Sequence, residues 1–407
     1  MRHSLIWWLT ALTVLLFGLW TTFGFHLLRG QANDTSHRLD VRPVLPARPA
    51  DDRLPSGPWG RLKRTAIFLP NPSPLGLLPE PLSSPTATWY FPDTSRAQLN
   101  GLFSRIGLSD SLARTLLGMA KTNASYQGLT ILPTPEIVLG LSPKIRSGLY
   151  AILAEFELNE DQEQSPRFVC DSADQWFAGA GLSPEIRDIV DPLVYRQGKV
   201  LYFSDLRTVD YELPSPEARL ALREALLRRP ALVVRLTASN DSDAAALVDY
   251  WGQGGRTSAV RPFIESLVLD SRCESVDVAH LLPPFPRRLL YTFPSATDGG
   301  STTMLNCHWT SLNFFSEEPD PTFGEPHIID EVIERDYVQV FDEPLLGDVV
   351  LFRSDAGHPI HSASFIADDI VFTKNGRGAL PWTLMEIDHL LALYSADKIE
   401  YYRRRDL

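Results

Sequence analysis

Cysteine is scarce in this chain of 407 residues, which contains only Cys170, Cys273 and Cys307. So few thiols in so long a chain exclude a scaffold built on disulfides. Basic residues are also outnumbered by acidic ones. The chain has 38 Lys and Arg and 50 Asp and Glu, which gives a formal net charge of −12. A dedicated nucleic-acid binder carries a basic face, so we expect no nucleic-acid partner.

Metal-binding and cofactor-binding patterns are also missing. Gly252-Gln253-Gly254-Gly255 lacks the helix and the acidic residue of a dinucleotide fingerprint. His358 and His361 could join His327 at a metal, but a strand directs residues three apart to opposite faces. We therefore expect neither a cofactor nor a metal. The hydrophobic share of 44% is that of an ordinary globular protein, and the length suggests about two or three domains.

A long apolar run opens the chain. Residues 5–28 form 24 positions without Lys, Arg, Asp or Glu. A helix of that length spans the ~30 Å hydrocarbon layer, and the run exceeds the roughly 7–15 apolar residues of a cleaved signal peptide. We predict an uncleaved transmembrane anchor and a single-pass membrane protein. The basic residues after the run could hold the body in the cytoplasm, but we favour the extracytoplasmic side because of the function inferred from the last third of the chain.

Proline dominates the next stretch, with twelve between Pro43 and Pro92. Because proline removes amide donors and restricts φ, we predict an extended linker over residues 29–95. Residues 96–270 look mainly helical, since serine N-caps recur, followed by proline at Ser142, Ser183 and Ser215. Two short strands are predicted in this middle domain, over residues 200–203 and 231–236.

The last third of the chain carries the candidate chemistry. Five of the nine histidines lie between Cys307 and His389. We predict short strands over residues 348–353, 360–366 and 370–374, and a helix that begins at Cys307. A cysteine at a helix N-terminus favours the nucleophilic thiolate, and His361 on the second strand could be its base. Thr373 or Asn375 on the third strand could orient the imidazole.

The order of these residues resembles that of the NlpC-type papain-like cysteine peptidases, a superfamily of bacterial cell-wall endopeptidases. The pieces that carry the resemblance are Tyr291, Gly299-Gly300, Asn306-Cys307 with Leu312, Gly347-Asp348-Val349-Val350-Leu351-Phe352, His361, and Val371-Phe372-Thr373-Lys374-Asn375-Gly376.

This resemblance implies an α+β protein whose residues 271–407 form a papain-like domain with a small antiparallel sheet. Cys307 would be the nucleophile, His361 the base, and Thr373 or Asn375 the third residue. Tyr291 and His308 would lie on the oxyanion and substrate side. The implied activity is hydrolysis of amide bonds in peptidoglycan-like peptides.

The residues around the cysteine depart from the usual pattern of that superfamily. Asp-Cys-Ser-Gly is usual there, whereas this chain has Asn306-Cys307-His308-Trp309. Two alternatives therefore stay open. One is a catalytically inactive envelope binding module on the same fold, and the other is a transglutaminase-like acyltransferase.

Overall fold

The computed structural model describes residues 57–71, 84–123, 127–239, 242–269, 274–294, 305–325, 327–376 and 380–407. The strands are β1 Arg61–Leu69, β2 Trp89–Phe91, β3 Lys121–Asn123, β4 Gly128–Ile131, β5 Arg167–Val169, β6 Tyr195–Gln197, β7 Val200–Tyr202, β8 Arg229–Thr237, β9 Ser275–Asp277, β10 Tyr337–Val340, β11 Val349–Arg353, β12 Pro359–Ala367, β13 Ile370–Lys374, β14 Trp382–Glu386 and β15 Lys398–Arg404. The helices of the first half are α1 Arg96–Arg105, α2 Asp110–Met119, α3 Pro135–Gly140, α4 Pro143–Leu153, α5 Glu160–Glu163, α6 Ala173–Phe177, α7 Pro184–Val190 and α8 Leu206–Glu212. Those that follow are α9 Pro216–Leu227, α10 Ala244–Trp251, α11 Thr257–Leu269, α12 Pro284–Leu289, α13 Cys307–Leu312, α14 Ile328–Asp336 and α15 Ile387–Tyr394.

Serine caps begin the helices of the middle region, as predicted. Ser142, Ser183 and Ser215 are the N-caps of α4, α7 and α9, and a proline follows each of them. The hydroxyls of Ser142 and Ser215 each accept from an amide of the first turn, whereas Ser183 makes no such bond, and the proline has no amide that needs an acceptor. The two predicted strands correspond to β7 and β8. The region also contains two small three-stranded sheets, β2-β4-β3 and β5-β7-β6, which the sequence analysis did not predict in full. The α+β class is confirmed.

The predicted linker contains packed structure. Strand β1 pairs antiparallel with β8 along its whole length, from Arg61 opposite Thr237 to Leu69 opposite Arg229. Its residues Ile67, Phe68 and Leu69 are buried. Residues 59–69 contain no proline, so no amide of β1 that faces β8 is missing from the ladder. The interpretation of residues 29–95 as a continuous linker is therefore wrong for β1, and for β2 as well.

Membrane-spanning helices are not found in the part of the chain that the structure describes, where no helix is both long and apolar enough to cross a bilayer. This finding does not support the predicted anchor, the single-pass localisation or the extracytoplasmic body, whereas the membrane as a partner stays a prediction. Residues 5–28 themselves lie outside the described residues.

The C-terminal region is built on a six-stranded antiparallel sheet with the order β10-β15-β11-β12-β13-β14. The three predicted strands correspond to β11, β12 and β13. Helix α13 packs on β12 and β13. One buried cluster joins this sheet to elements before residue 271, since it contains Trp251 of α10 and Ile264 of α11 together with Trp382 and Leu384 of β14. The predicted domain boundary at residue 271 thus runs through a shared core.

The Gly-Asp pair before β11 is a structural turn. Gly347 has φ +89°, and its amide donates to the Phe365 carbonyl at 2.8 Å. The Asp348 carboxylate accepts from the Leu345 amide at 2.8 Å and from the Arg403 guanidinium at 2.7 Å. The Gly347 bond and a second one, from the Phe365 amide to the Asp348 carbonyl at 2.8 Å, hold β12, which carries His361, in register with β11, while the carboxylate ties the turn to β15. A left-handed φ favours glycine, and a Cβ here would also collide with the ring of Phe315.

We expect Gly347→Ala to lower the free energy of unfolding by about 2–5 kcal/mol, since the left-handed conformation costs ~1–2 kcal/mol and overpacking adds a further ~1–3 kcal/mol. Gly198→Ala is the matched control, because Gly198 also has positive φ, at +58°, but has open space around its Cβ position. That control should lose only about 1–2 kcal/mol. Urea denaturation measures both values, and equal losses would contradict the steric part of this explanation.

Candidate active site

Cys307 is the first residue of α13, and its position is set by the helix cap. The side-chain oxygen of the N-cap Asn306 accepts from the Trp309 amide at 2.9 Å. The same side chain donates to the Gly324 carbonyl at 2.6 Å, which ties the start of the helix to the loop beyond it. The predicted helix start is therefore confirmed. Cys307 itself is buried, with 7% of its surface exposed.

His361 lies on β12 and is fully buried. Its Nε2 atom is 2.9 Å from the Thr373 hydroxyl of β13. The imidazole stacks on the ring of Tyr394 from α15, with centroids 4.1 Å apart and planes inclined by 16°. The hydrogen bond with Thr373 and the stacking on Tyr394 together hold the imidazole in one orientation.

The hydroxyl of Thr373 indicates which nitrogen of His361 carries the proton. This hydroxyl donates to the Ser362 carbonyl at 3.4 Å, so it accepts from the imidazole. Nε2 is then the protonated nitrogen of the neutral ring, and Nδ1 carries the lone pair. Nδ1 is buried and has no nitrogen or oxygen partner among the described residues.

The thiol of Cys307 interacts with this imidazole. Burial alone would raise the pKa of Cys307, but its electrostatic interactions with His361 and His308, together with the contact of the sulfur with His308 Nδ1, outweigh burial and hold this pKa well below its ordinary value. A neutral ring with a lone pair on Nδ1 can accept the thiol proton, and the resulting imidazolium stabilises the thiolate. The structure thus brings together the predicted nucleophile and the predicted base.

The two candidates for the third residue are separated by the structure. Thr373 contacts the His361 ring, whereas the Asn375 side-chain amide donates to the sulfur of Met385 at 2.8 Å. Among the remaining predicted site residues, His308 lies beside the thiol, with its Nδ1 3.9 Å from the sulfur. Tyr291 is occupied elsewhere, because its hydroxyl donates to the Leu232 carbonyl of β8 at 2.5 Å.

The sequence analysis missed two residues near the sulfur, Lys374 and Tyr394. Lys374 is fully buried, and its ammonium donates to the Gly376 carbonyl at 3.1 Å and lies 5.7 Å from the ring centroid of Trp382. Burial lowers the pKa of Lys374 to about 8, while a negative charge on Cys307 opposes this shift. For Lys374, the available signal in the sequence was a lysine at the end of a strand that begins with three apolar residues. Tyr394 offered none, because its contact with His361 depends on where α15 packs.

The comparisons with known proteins do not assign this chain to a family. No protein-family model matches the chain, and no solved structure matches it. A stretch of 104 residues, 25% of the chain, is 31% identical to a protein named D-inositol 3-phosphate glycosyltransferase from Thermobifida fusca (strain YX). The match spans 23% of that protein's length. That name describes a glycosyltransferase, and a match over so small a part of both chains does not bear on a cysteine hydrolase. The expected cell-wall peptidase activity therefore stays a prediction.

We expect Cys307 to react with iodoacetamide at about pH 6, since its lowered pKa leaves thiolate present as the pH falls. Cys170 is the internal control, because burial raises its pKa to about 11 and keeps it protonated at that pH. Mass mapping of the labelled peptides measures both rates. His361→Leu should slow the labelling of Cys307 at least tenfold, which corresponds to a pKa rise of about one unit. Equal rates at Cys307 and Cys170 would contradict the inferred geometry.

Proposed function

We propose that this chain is a cysteine amidase, which hydrolyses amide bonds through a covalent thioester, with Cys307 as nucleophile and His361 as general base. The observation that carries the proposal is the orientation of the His361 ring. Its Nε2 is engaged by Thr373, its Nδ1 lacks a nitrogen or oxygen partner among the described residues, and the thiol beside it has a lowered pKa. A nucleophile, a base and an orienting group are the minimum set for this chemistry.

The first half of the reaction transfers the acyl group to sulfur. The Cys307 thiolate attacks the carbonyl carbon, and a C–S bond forms while the C=O π electrons move to oxygen. Backbone N–H groups in the first turn of a helix have no intrahelical acceptors, so they are suited to stabilising this oxyanion. When the oxyanion collapses, the C–N bond breaks. The imidazolium of His361 donates its Nδ1 proton to the departing amine, which leaves a thioester and a neutral ring.

The second half restores the enzyme. The Nδ1 lone pair of His361 accepts a proton from water as the water oxygen attacks the thioester carbonyl. The C–S bond breaks, a carboxylic acid leaves, and the thiolate and imidazolium are regenerated. Thr373 holds the ring in the same orientation in both halves, since it bonds Nε2, which takes no part in either proton transfer.

The proposed substrate is the amide bond of a peptide, and the resemblance in the sequence favours peptides of the peptidoglycan type. This choice rests on the resemblance alone, whereas the reaction type rests on the Cys307 site. A substrate panel should therefore contain ordinary peptides as well as D-amino-acid-containing stem peptides.

We expect Cys307→Ala to abolish amine release from any active member of that panel, since the mutation removes the nucleophile. Cys170→Ala is the matched control and should keep the wild-type rate. Amine release is measured by mass spectrometry of the products. Loss of activity in Cys170→Ala with retention in Cys307→Ala would overturn the assignment.

A product that forms only with an added amine would favour the acyltransferase, and binding without thiol reactivity would favour the inactive module.

We expect Thr373→Val to lower kcat by about tenfold to a hundredfold, because a hydrogen bond to a charged group contributes about 1.5–3 kcal/mol. The substitution keeps the shape of the side chain and removes only the hydroxyl. Asn375→Leu is the control for the other candidate third residue and should change kcat by less than about threefold, within the size of one neutral hydrogen bond. The reverse ranking in steady-state assays would assign the orienting role to Asn375.

A further inference from the structure

A chain of buried hydroxyl groups lies beside the sulfur and ends on His308. The His308 Nδ1 atom is 2.8 Å from the Ser362 hydroxyl, and that hydroxyl is 2.7 Å from the hydroxyl of Ser311. The Ser311 hydroxyl in turn donates to the backbone carbonyl of His308 at 3.3 Å. His308, Ser362 and Ser311 are all buried, with 7%, 0% and 1% of their surfaces exposed. We name these three residues the hydroxyl loop.

The direction of the hydroxyl loop follows from counting its hydrogens. Each serine has one hydrogen to donate. Ser311 uses its hydrogen on the His308 carbonyl, so Ser362 is the donor in the bond between the two hydroxyls. Ser362 has then used its own hydrogen, and it must accept from His308. The proton of the neutral His308 ring therefore lies on Nδ1, the nitrogen that is 3.9 Å from the sulfur of Cys307.

We infer that His308 is a positioning residue whose Nδ1 proton is held by Ser362, so that this nitrogen does not act as a base for the thiol. The inference rests on the proposed function and assigns different roles to the two imidazoles at the sulfur. His361 presents a lone pair on Nδ1 and takes the proton. His308 carries a proton on Nδ1 in its neutral and its charged forms alike, so that nitrogen cannot accept one.

This division explains the unusual residue after the cysteine. The thiolate is buried, and a buried anion needs a donor to offset its lost hydration. The Nδ1–H of His308 donates to Ser362 and shares its partial positive charge with the sulfur 3.9 Å away, without adding a second group that competes for the thiol proton. The strand residue Ser362 thus acts on the sulfur through His308, and His361, its neighbour in sequence, acts on the sulfur directly.

The test is the pH dependence of iodoacetamide labelling at Cys307 in two variants of His308. His308→Asn keeps an N–H donor close to the position of Nδ1, and we expect a labelling rate within about twofold of the wild type. His308→Leu removes the donor, and we expect the midpoint of the pH profile to rise by about one unit, with a tenfold lower rate below it. His358→Leu, at an exposed histidine, should leave the profile unchanged.

A second pair of variants keeps the test decisive if His308→Leu fails to fold. Ser362→Ala removes the acceptor that keeps the His308 proton on Nδ1. Because this proton can then move to Nε2, we expect labelling at about pH 6 to fall roughly fivefold, the size of one neutral hydrogen bond. Ser364→Ala is matched to it. Ser364 is equally buried on the same strand, but its hydroxyl donates to the Ser311 carbonyl at 3.4 Å, outside the hydroxyl loop. We expect Ser364→Ala to keep the wild-type rate.

The outcomes separate this inference from the proposed function. If wild-type Cys307 reacts no faster than Cys170 at about pH 6, the proposed function fails. If Cys307 is reactive but its profile is unchanged in His308→Leu and in Ser362→Ala, the function stands and the role of His308 is wrong. Equal shifts in His308→Asn and His308→Leu would indicate a packing role and would also overturn the inference.

Discussion

The site depends on the pairing of a buried thiol with a buried imidazole. Burial by itself favours the uncharged thiol, because the surroundings of Cys307 hydrate an anion poorly. The interaction with His361 reverses this preference, since moving one proton between the two groups creates opposite charges near each other. The Nδ1 atom of His308 lies 3.9 Å from the same sulfur. The thiolate would not persist in this position without these partners.

The fold serves this pairing by bringing two distant segments together. Asn306 caps α13 and sets Cys307 at its start, while the turn at Gly347 and Asp348 keeps β12 in register beside β11. Helix α13 packs on β12, so the sulfur and the imidazole meet across 54 positions of sequence. Tyr394 and Thr373 then restrict the His361 ring from its face and its edge. The two residues that hold the ring lie on regular elements, Thr373 on β13 and Tyr394 on α15, which gives the site a rigid frame.

Local chemistry explains which features the sequence could predict. Serine–proline helix starts, the strands around His361 and the helix at Cys307 depend on neighbouring residues and were predicted correctly. The pairing of β1 with β8 joins residues 160 positions or more apart, so local composition, which is rich in proline, did not predict it. The choice of Thr373 over Asn375 depends on strand register, and the roles of His308, Lys374 and Tyr394 depend on packing across elements. The placement of Tyr291 depended in the same way on its contact with Leu232.

The thiolate content of Cys307 is the quantity on which this explanation depends. The most direct measurement is an ultraviolet difference titration of the thiolate, comparing the wild-type chain with Cys307→Ala and His361→Leu. We expect the wild type to retain a thiolate absorbance at about pH 6 that both variants lack, since the imidazole is what keeps the sulfur charged. An absorbance that is identical in the wild type and in Cys307→Ala across the titration would contradict the central claim.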